Sequence, residues 1–272
     1  MRSCSSRLSL LVTSLIIGLV FVHPSPAGVL DQGNHQGEDH SFEDHKNEDL
    51  DGIILSDADL ESTNFRNTSL RDAMMVSAFL LNAVLISADL TRADLTNAVL
   101  IYAAMRDATM TDTIFDQADL TGANLRNATA VNAIFTGATL TDTVLANTDL
   151  TGANFTGAII TDANLKGATL IGADLSGSDL SGSDLKGADL VGASLMGADL
   201  TGISYNTETD FTGAFYDADT RFDPFFDTTG LILVPEPSTA ALLTFGLTLL
   251  AFRRASWRPN RRLRALTPPQ GI

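Results

Sequence analysis

Three histidines recur at a spacing of five, His35, His40 and His45, and each is followed three and four residues later by an acidic pair: Glu38-Asp39, Glu43-Asp44 and Glu48-Asp49. Imidazole nitrogens mixed with carboxylate oxygens suit zinc, and carboxylates alone suit calcium. Elsewhere the chain offers little chemistry of this kind. Its one cysteine is Cys4 and its remaining histidine is His23, so from Lys46 onward no imidazole or thiol exists for a nucleophile and its base or for a thiolate zinc site. Folding the histidine segment inward would bury imidazoles and carboxylates together, which is costly unless a metal pairs them. The density of charge over residues 28–50 therefore favours a disordered acidic leader, with a zinc- or calcium-binding array and an N-terminal cap as the alternatives. On that reading no cofactor is expected and no catalytic or cofactor-binding residue is assigned. His35, His40 and His45 stand as the metal candidates.

The element beyond this segment has its own five-residue clock. From Leu55 to Leu200 every fifth residue is apolar: 30 positions, with 21 Leu, four Phe (65, 115, 135, 155), three Met (75, 105, 110), Ile160 and Ala130. The positions two before them, Ala58 to Ala198, hold 22 Ala, five Thr (63, 68, 113, 143, 148) and two Ser (178, 183). A period of five fits neither a helix nor a long strand. It fits a short extended piece in which two residues spaced by two point the same way, followed by a corner. If each corner is a quarter turn, four pentads close a square coil of 20 residues. Thirty pentads then give about seven and a half coils, a column roughly 36 Å tall at ~4.8 Å per paired strand.

Two further observations bear on that geometry. Phe115, Phe135 and Phe155 lie 20 apart and would stack on one wall, with the small Ala130 one pentad before Phe135. The position two after each Leu would take φ > 0 in a type II turn, which favours Gly or Asn. Between residues 122 and 202 it is Gly at 12 of 17 places, whereas between 57 and 117 it is never Gly in 13. Type II corners are thus predicted for the second half and looser, irregular corners for the first. After Leu200 the register falters at Tyr205 and resumes one residue late at Phe211 and Tyr216. Phe222, Phe225 and Phe226 follow, read as an aromatic lid over the last coil.

The pattern in Ala118-Asp119-Leu120-Thr121-Gly122 and Ala188-Asp189-Leu190-Val191-Gly192 resembles the pentapeptide repeat family over about residues 53 to 205. The resemblance implies an all-β fold, a right-handed quadrilateral β-helix, the handedness being the family's.

The chain ends carry a different kind of signal. Arg2 and Arg7 precede a charge-free, largely apolar stretch from Leu8 to Val22, and Ser25 and Ala27 follow, a secretory signal peptide cut after Ala27. Near the other end, Val234-Pro235-Glu236-Pro237 introduces a charge-free run from Ser238 to Phe252, followed at once by Arg253 and Arg254. Fifteen helical residues reach only ~22 Å, a marginal membrane span, and the arginines favour a cytoplasmic tail. These residues resemble the PEP-CTERM sorting signals of Gram-negative bacteria. The resemblance implies processing near the Val234 to Pro237 box by an exosortase-type transpeptidase, inner-membrane anchoring beforehand, and delivery to the cell surface or extracellular matrix. The expected organisation is a signal peptide over 1–27, the acidic leader over 28–50, the β-helix over 51–205, and a cap and linker over 206–233. The sorting signal with its transmembrane segment follows over 234–254, and a basic cytoplasmic tail over 255–272.

Composition limits function. Formal net charge is -16, and residues 28–235 hold 32 acidic and nine basic side chains, a net of -23, which argues against nucleic-acid binding. Spaced by 20, Thr121, Thr141, Thr161, Ser181 and Thr201 form a single file of outward hydroxyls, read as ordinary surface ahead of an ice-binding face. No constellation of acid, base and nucleophile emerges from the repeats, so an enzyme is not expected. The favoured function is an exported, non-enzymatic surface or matrix protein whose rigid acidic rod is a platform for other surface proteins, exopolysaccharide or divalent cations. The alternatives are a cytoplasmic DNA mimic acting on gyrase, as the family resemblance allows, and a cation- or ice-binding solenoid.

Overall fold

The computed structural model describes residue 30 and residues 33–235. The expected signal peptide, most of the sorting signal, its membrane segment and the basic tail lie outside the described residues. Among the described residues there is no α-helix, and none long and apolar enough to cross a membrane.

Parallel bridges with a step of 20 run up all four walls of the column. On one wall they start at Asn34 and recur at Ile54, Met74, Asp94, Ile114, Ile134, Asn154, Asp174 and Ser194, eight circuits, and Ser194 pairs in turn with Phe215. The step of 20 follows from four corners per circuit. The Leu position and the Ala position of each pentad both face inward, and from Leu55 to Leu200 both are buried throughout. The core is thus a continuous column of Leu at the walls with Ala at the turns.

The backbone accounting of one pentad shows why the Ala-Asp/Asn-Leu order folds this way. The Ala118 amide closes the β-turn onto Phe115 O at 3.0 Å, and the Asp119 amide bonds the preceding coil at Ala98 O at 2.9 Å. The Leu120 and Gly122 amides bond the following coil, at Thr139 O (2.7 Å) and Thr141 O (2.9 Å). The fifth amide, of Thr121, has no backbone partner and donates instead to Asp119 Oδ1 at 3.0 Å. Every N–H of the pentad is then satisfied, as buried or half-buried backbone requires. The same bond recurs at Asp179, Asp199, Asn124 and Asn154, so the outward Asp or Asn is a built part of the corner. Polar residues at the Ala position are also used. Thr63, Thr113 and Thr143 donate to carbonyls 23 residues back, at His40, Leu90 and Leu120, at 2.8, 2.7 and 2.9 Å.

The corners depart from the sequence expectation. From residue 37 to residue 202 the third residue of every turn is left-handed, in both halves alike: Asp57 (φ 60°), Arg92 (60°), Tyr102 (57°) and Gln117 (57°) match Gly122 (66°) and Gly197 (67°). No looser first half exists. Each corner amide is held between coils, as the Arg92 amide is by Thr111 O at 3.0 Å, and this lattice imposes φ > 0 on residues that disfavour it.

The column also exceeds the expected span of 51–205 at both ends. Residues 33–50, expected as a disordered leader, form the first coil, with Asn34, Asp39, Asp44 and Asp49 bridged to Ile54, Asp59, Asn64 and Ser69. At the other end the step lengthens: Asp189 pairs with Asp210, and β1 (Asp199–Leu200) pairs with β3 (Arg221–Phe222). Then β2 (Phe215–Tyr216) pairs with β4 (Ile232–Leu233). The two extra residues are absorbed at Asn206–Thr209 and Asp217–Thr220. There the side chains stand in for lost backbone acceptors, since the Gly187 amide bonds Asn206 Oδ1 at 3.0 Å and the Gly197 amide bonds Asp217 Oδ1 at 2.9 Å. Phe211, Phe222 and Phe226 join Tyr205 and Tyr216 in an aromatic cluster, with Phe222 and Phe226 stacked at 4.5 Å. Phe225, expected in that lid, is 97 % exposed, because it follows Pro224 out of the corner while Phe226 turns in.

Candidate functional site

The first coil is built like the others but lined differently. His35, His40 and His45 take three successive Leu positions, and Glu38, Glu43 and Glu48 take the Ala positions. The fourth wall stays apolar with Leu50, and Leu30 is buried against the same core. The three imidazoles are 8, 3 and 1 % exposed. His45 stacks on Phe65 of the next coil at 5.7 Å, and His35 meets His40 edge-on at 5.1 Å.

The polar groups are reconciled with burial by alternating around the wall. His35 Nδ1 lies 2.9 Å from Glu38 Oε2, and the same oxygen lies 3.1 Å from His40 Nε2. Turning the corner, His40 Nδ1 lies 3.0 Å from Glu43 Oε2, which in turn lies 2.9 Å from His45 Nε2, and His45 Nδ1 lies 3.1 Å from Glu48 Oε2. The hydrogen bond from His35 holds the Glu38 carboxyl below the usual carboxylate range, against its burial, and His40 adds to the effect. This mutual pairing is why the segment orders. A reading from composition weighs each buried charge alone, whereas the five-residue register brings His40 and His45 each between two carboxylates and sets His35 against Glu38.

His35 Nδ1, Glu38 Oε2 and His40 Nε2 lie within 4.8 Å of one another, a two-nitrogen, one-oxygen set of the kind zinc accepts. Of the sequence candidates, His35 and His40 share this set. His45 stands one carboxylate further along, joined to it through Glu43. Glu38 and Glu43 are the residues that sequence reasoning did not single out as ligands, although their offset of three from each histidine is the turn that brings them together.

On the outer faces the hydroxyl file is occupied by the protein itself. Thr121 and Thr201 donate to Asp119 and Asp199 at 2.6 and 2.8 Å, and Thr141 and Thr161 bond each other at 2.9 Å. The file presents no free hydroxyl lattice at these positions, which weighs against an ice-binding face.

The period of 20, the Ala and Leu lining and the Asp/Asn corner bonds coincide with a family profile described as pentapeptide repeats (8 copies), whose matches run from residues 53–92 through 163–202. The chain belongs to the pentapeptide repeat family. The family's fold is a right-handed β-helix, which gives the hand of the column. Solved pentapeptide repeat structures resemble it. HetL from the cyanobacterium Nostoc sp. strain PCC 7120, described as involved in heterocyst differentiation regulation, is 27 % identical over 66 % of this chain and 91 % of its own, with a TM-score of 0.39. The protein alr5209 from Nostoc PCC 7120 is 41 % identical over 37 % of this chain and 84 % of its own, with a TM-score of 0.36. QnrB1, a plasmid-mediated fluoroquinolone resistance protein, is 22 % identical over 82 % of this chain and 97 % of its own, with a TM-score of 0.42. A search of curated proteins finds no match.

A second profile, the PEP-CTERM protein-sorting motif, matches residues 233–262. Such motifs mark exported proteins that are anchored in the membrane before processing by an exosortase. In this pentapeptide repeat chain the motif begins inside the fold. Leu233 is paired in β4, and the Val234 amide donates to Tyr216 O at 2.7 Å. Val234 and the exposed Pro235 are therefore placed at the last edge of the column, while Glu236, Pro237, Arg253 and Arg254 lie outside the described residues.

Proposed function

We propose that this pentapeptide repeat protein is an exported, non-enzymatic component of the cell surface or extracellular matrix, in which the β-helix is a rigid acidic post presented by an exosortase-type system. The observation that carries the reading is the junction at Val234. The sorting motif leaves directly from a strand of the column, so processing at the Val234 to Pro237 box would fix the post to its attachment with no flexible spacer. A stiff post with a net charge of -23 over residues 28–235 resists self-association and offers long faces to other surface proteins, polysaccharide or divalent cations. Beyond the first coil its interior is spent on packing, mostly by Ala and Leu, which leaves the outside free to bind.

The test is fractionation of the native organism followed by mass spectrometry of the released protein, reading both termini. The expected result is surface or matrix protein that starts after Ala27 and ends near Pro237. Protein confined to the cytoplasm with Met1 and Ile272 intact would overturn the proposal and put the DNA-mimic alternative ahead of it.

A further inference from the structure

We infer that the first coil is a transition-metal site, in which His35 Nδ1, Glu38 Oε2 and His40 Nε2 hold one zinc-class divalent cation at the N-terminal end of the column. The repeat itself does not call for these residues. At every Leu position from 55 to 200 the interior side chain is aliphatic, aromatic or Met, and Leu and Ala at positions 35 to 48 would have continued the core. Three successive pentads replace them with imidazole and carboxylate, and the coil nevertheless keeps its register.

The geometry is that of a site needing only small adjustment. Both imidazole nitrogens point at one carboxylate oxygen, at 2.9 and 3.1 Å. Zinc takes nitrogen and oxygen ligands at about 2.0 to 2.2 Å, which sets adjacent ligands of a tetrahedron about 3.3 Å apart. The two nitrogen-to-oxygen separations are thus within a few tenths of an ångström of ligand spacing, and a cation would take the place of the two N–H to oxygen contacts. The ligand set excludes calcium, which takes six to eight oxygens.

A second feature is independent of the three ligand atoms. His40 is 3 % exposed, and its other nitrogen, Nδ1, is held by Glu43 Oε2 at 3.0 Å. A carboxylate behind a histidine fixes its tautomer and aims Nε2 forward, the outer-shell arrangement found behind metal-bound imidazoles. The backbone of His40 is anchored as well, since its carbonyl accepts from the Thr63 hydroxyl at 2.8 Å. Position and orientation are therefore set before any ion arrives. The rival account is a polar cap that merely covers the core and discourages end-to-end stacking.

Metal-stripped full-length protein in detergent, titrated with zinc chloride against a chromophoric chelator, separates the two. The expected result is one zinc per chain that a large excess of calcium does not displace, and cobalt(II) loading that gives the intense visible bands of a four-coordinate site. The variant E38A/H40L restores the Ala and Leu of the repeat, so it keeps the coil and should lose at least a hundredfold in affinity. E43A, which removes only the group behind His40, should lose about 10- to 100-fold. Absence of zinc binding at micromolar concentration, or binding unchanged in E38A/H40L, would overturn the inference. The cap alone would then remain, shown by end-to-end self-association of that variant.

Discussion

Phe135 lies face to face with Phe115, their ring centroids 4.9 Å apart and their planes 3° from parallel, and Phe155 continues the stack at 4.8 Å. Such parallelism across a sequence distance of 20 arises only if each circuit returns to the same wall in the same orientation. All three rings are fully buried. Removing the middle ring opens a cavity between two others that cannot collapse without shifting two coils. F135A should therefore cost about 3 to 5 kcal/mol, and F135L, which installs the majority residue of the repeat, distinctly less. Urea denaturation of the two variants checks this. A loss of under about 1 kcal/mol for F135A would mean the column relaxes far more freely than a close-packed core does.

A second relationship joins a side chain to a glycine one coil on. Gly122 adopts φ +66°, and a Cβ there would meet Tyr102 Cδ1 and Cε1 at 2.5 Å. Gly157 adopts the same φ of +66° with nothing within 4 Å. G157A should carry only the left-handed penalty, about 1 to 2 kcal/mol. G122A should cost more, since the Tyr102 ring must also move. In the Y102A background the excess should vanish, so the double-mutant cycle reads the ring alone. Equal losses for G122A and G157A would show that the ring swings away without cost.

Asp217 Oδ1 accepts from the amides of Gly197, Asp219 and Thr220 at 2.9, 3.1 and 3.0 Å, where the lengthened coil has lost a carbonyl. Burial alone would raise its pKa, but the Gly197 amide, the Thr220 hydroxyl and the neighbouring amides outweigh burial and hold it below the usual carboxylate range. The folded-state value is thus depressed, so the contribution to stability is present above the unfolded value near 3.9 and is lost as pH falls below it. Asn206 does the same service natively in the preceding corner, accepting from the Gly187 amide at 3.0 Å. D217N keeps an acceptor oxygen but not the charge, so it should lie between wild type and D217A at pH 7 and lose less than wild type between about pH 4 and 2, whereas D217A should be destabilised by about 1 to 2 kcal/mol at neutral pH. Thermal melts at the two pH values decide it; a D217N variant as weak as D217A at pH 7 would show that the charge and not the acceptor matters.

The circuit could be read from residue types because side-chain size alone specifies the interior: Ala and Leu at fixed offsets, with Phe115, Phe135 and Phe155 as markers. The backbone of the corners could not. Tyr102 and Arg92 carry no local preference for φ > 0, and what holds them there are hydrogen bonds to Thr121 and Thr111 on the next coil. The outward Asp and Asn were legible only as polar surface. Asp119 followed two residues later by Thr121 is nonetheless an Asx-turn signature, and it accounts for the one amide of the pentad that the ladder leaves over. The histidine coil was hidden for a different reason. The spacing of His35, His40 and His45 was plain, but its meaning depends on Glu38 and Glu43 serving the histidines on either side of them. That is a property of the closed coil, absent from any single pentad.

The end of the column gives the last prediction. Phe226 touches Tyr205, Phe211 and Phe222 with ring centroids 5.0, 5.4 and 4.5 Å away, whereas its neighbour Phe225 is 97 % exposed. In a solenoid each coil contacts only its neighbours, so damage at the end stays local. F226A should raise hydrogen exchange at the Ile232 and Val234 amides, which bond Ala214 O and Tyr216 O, and leave amides around Leu120 unchanged. F225A should do neither. If F225A frays the end as F226A does, the exposed ring has a packing partner in solution, and the aromatic lid is larger than Tyr205, Phe211, Phe222 and Phe226 make it.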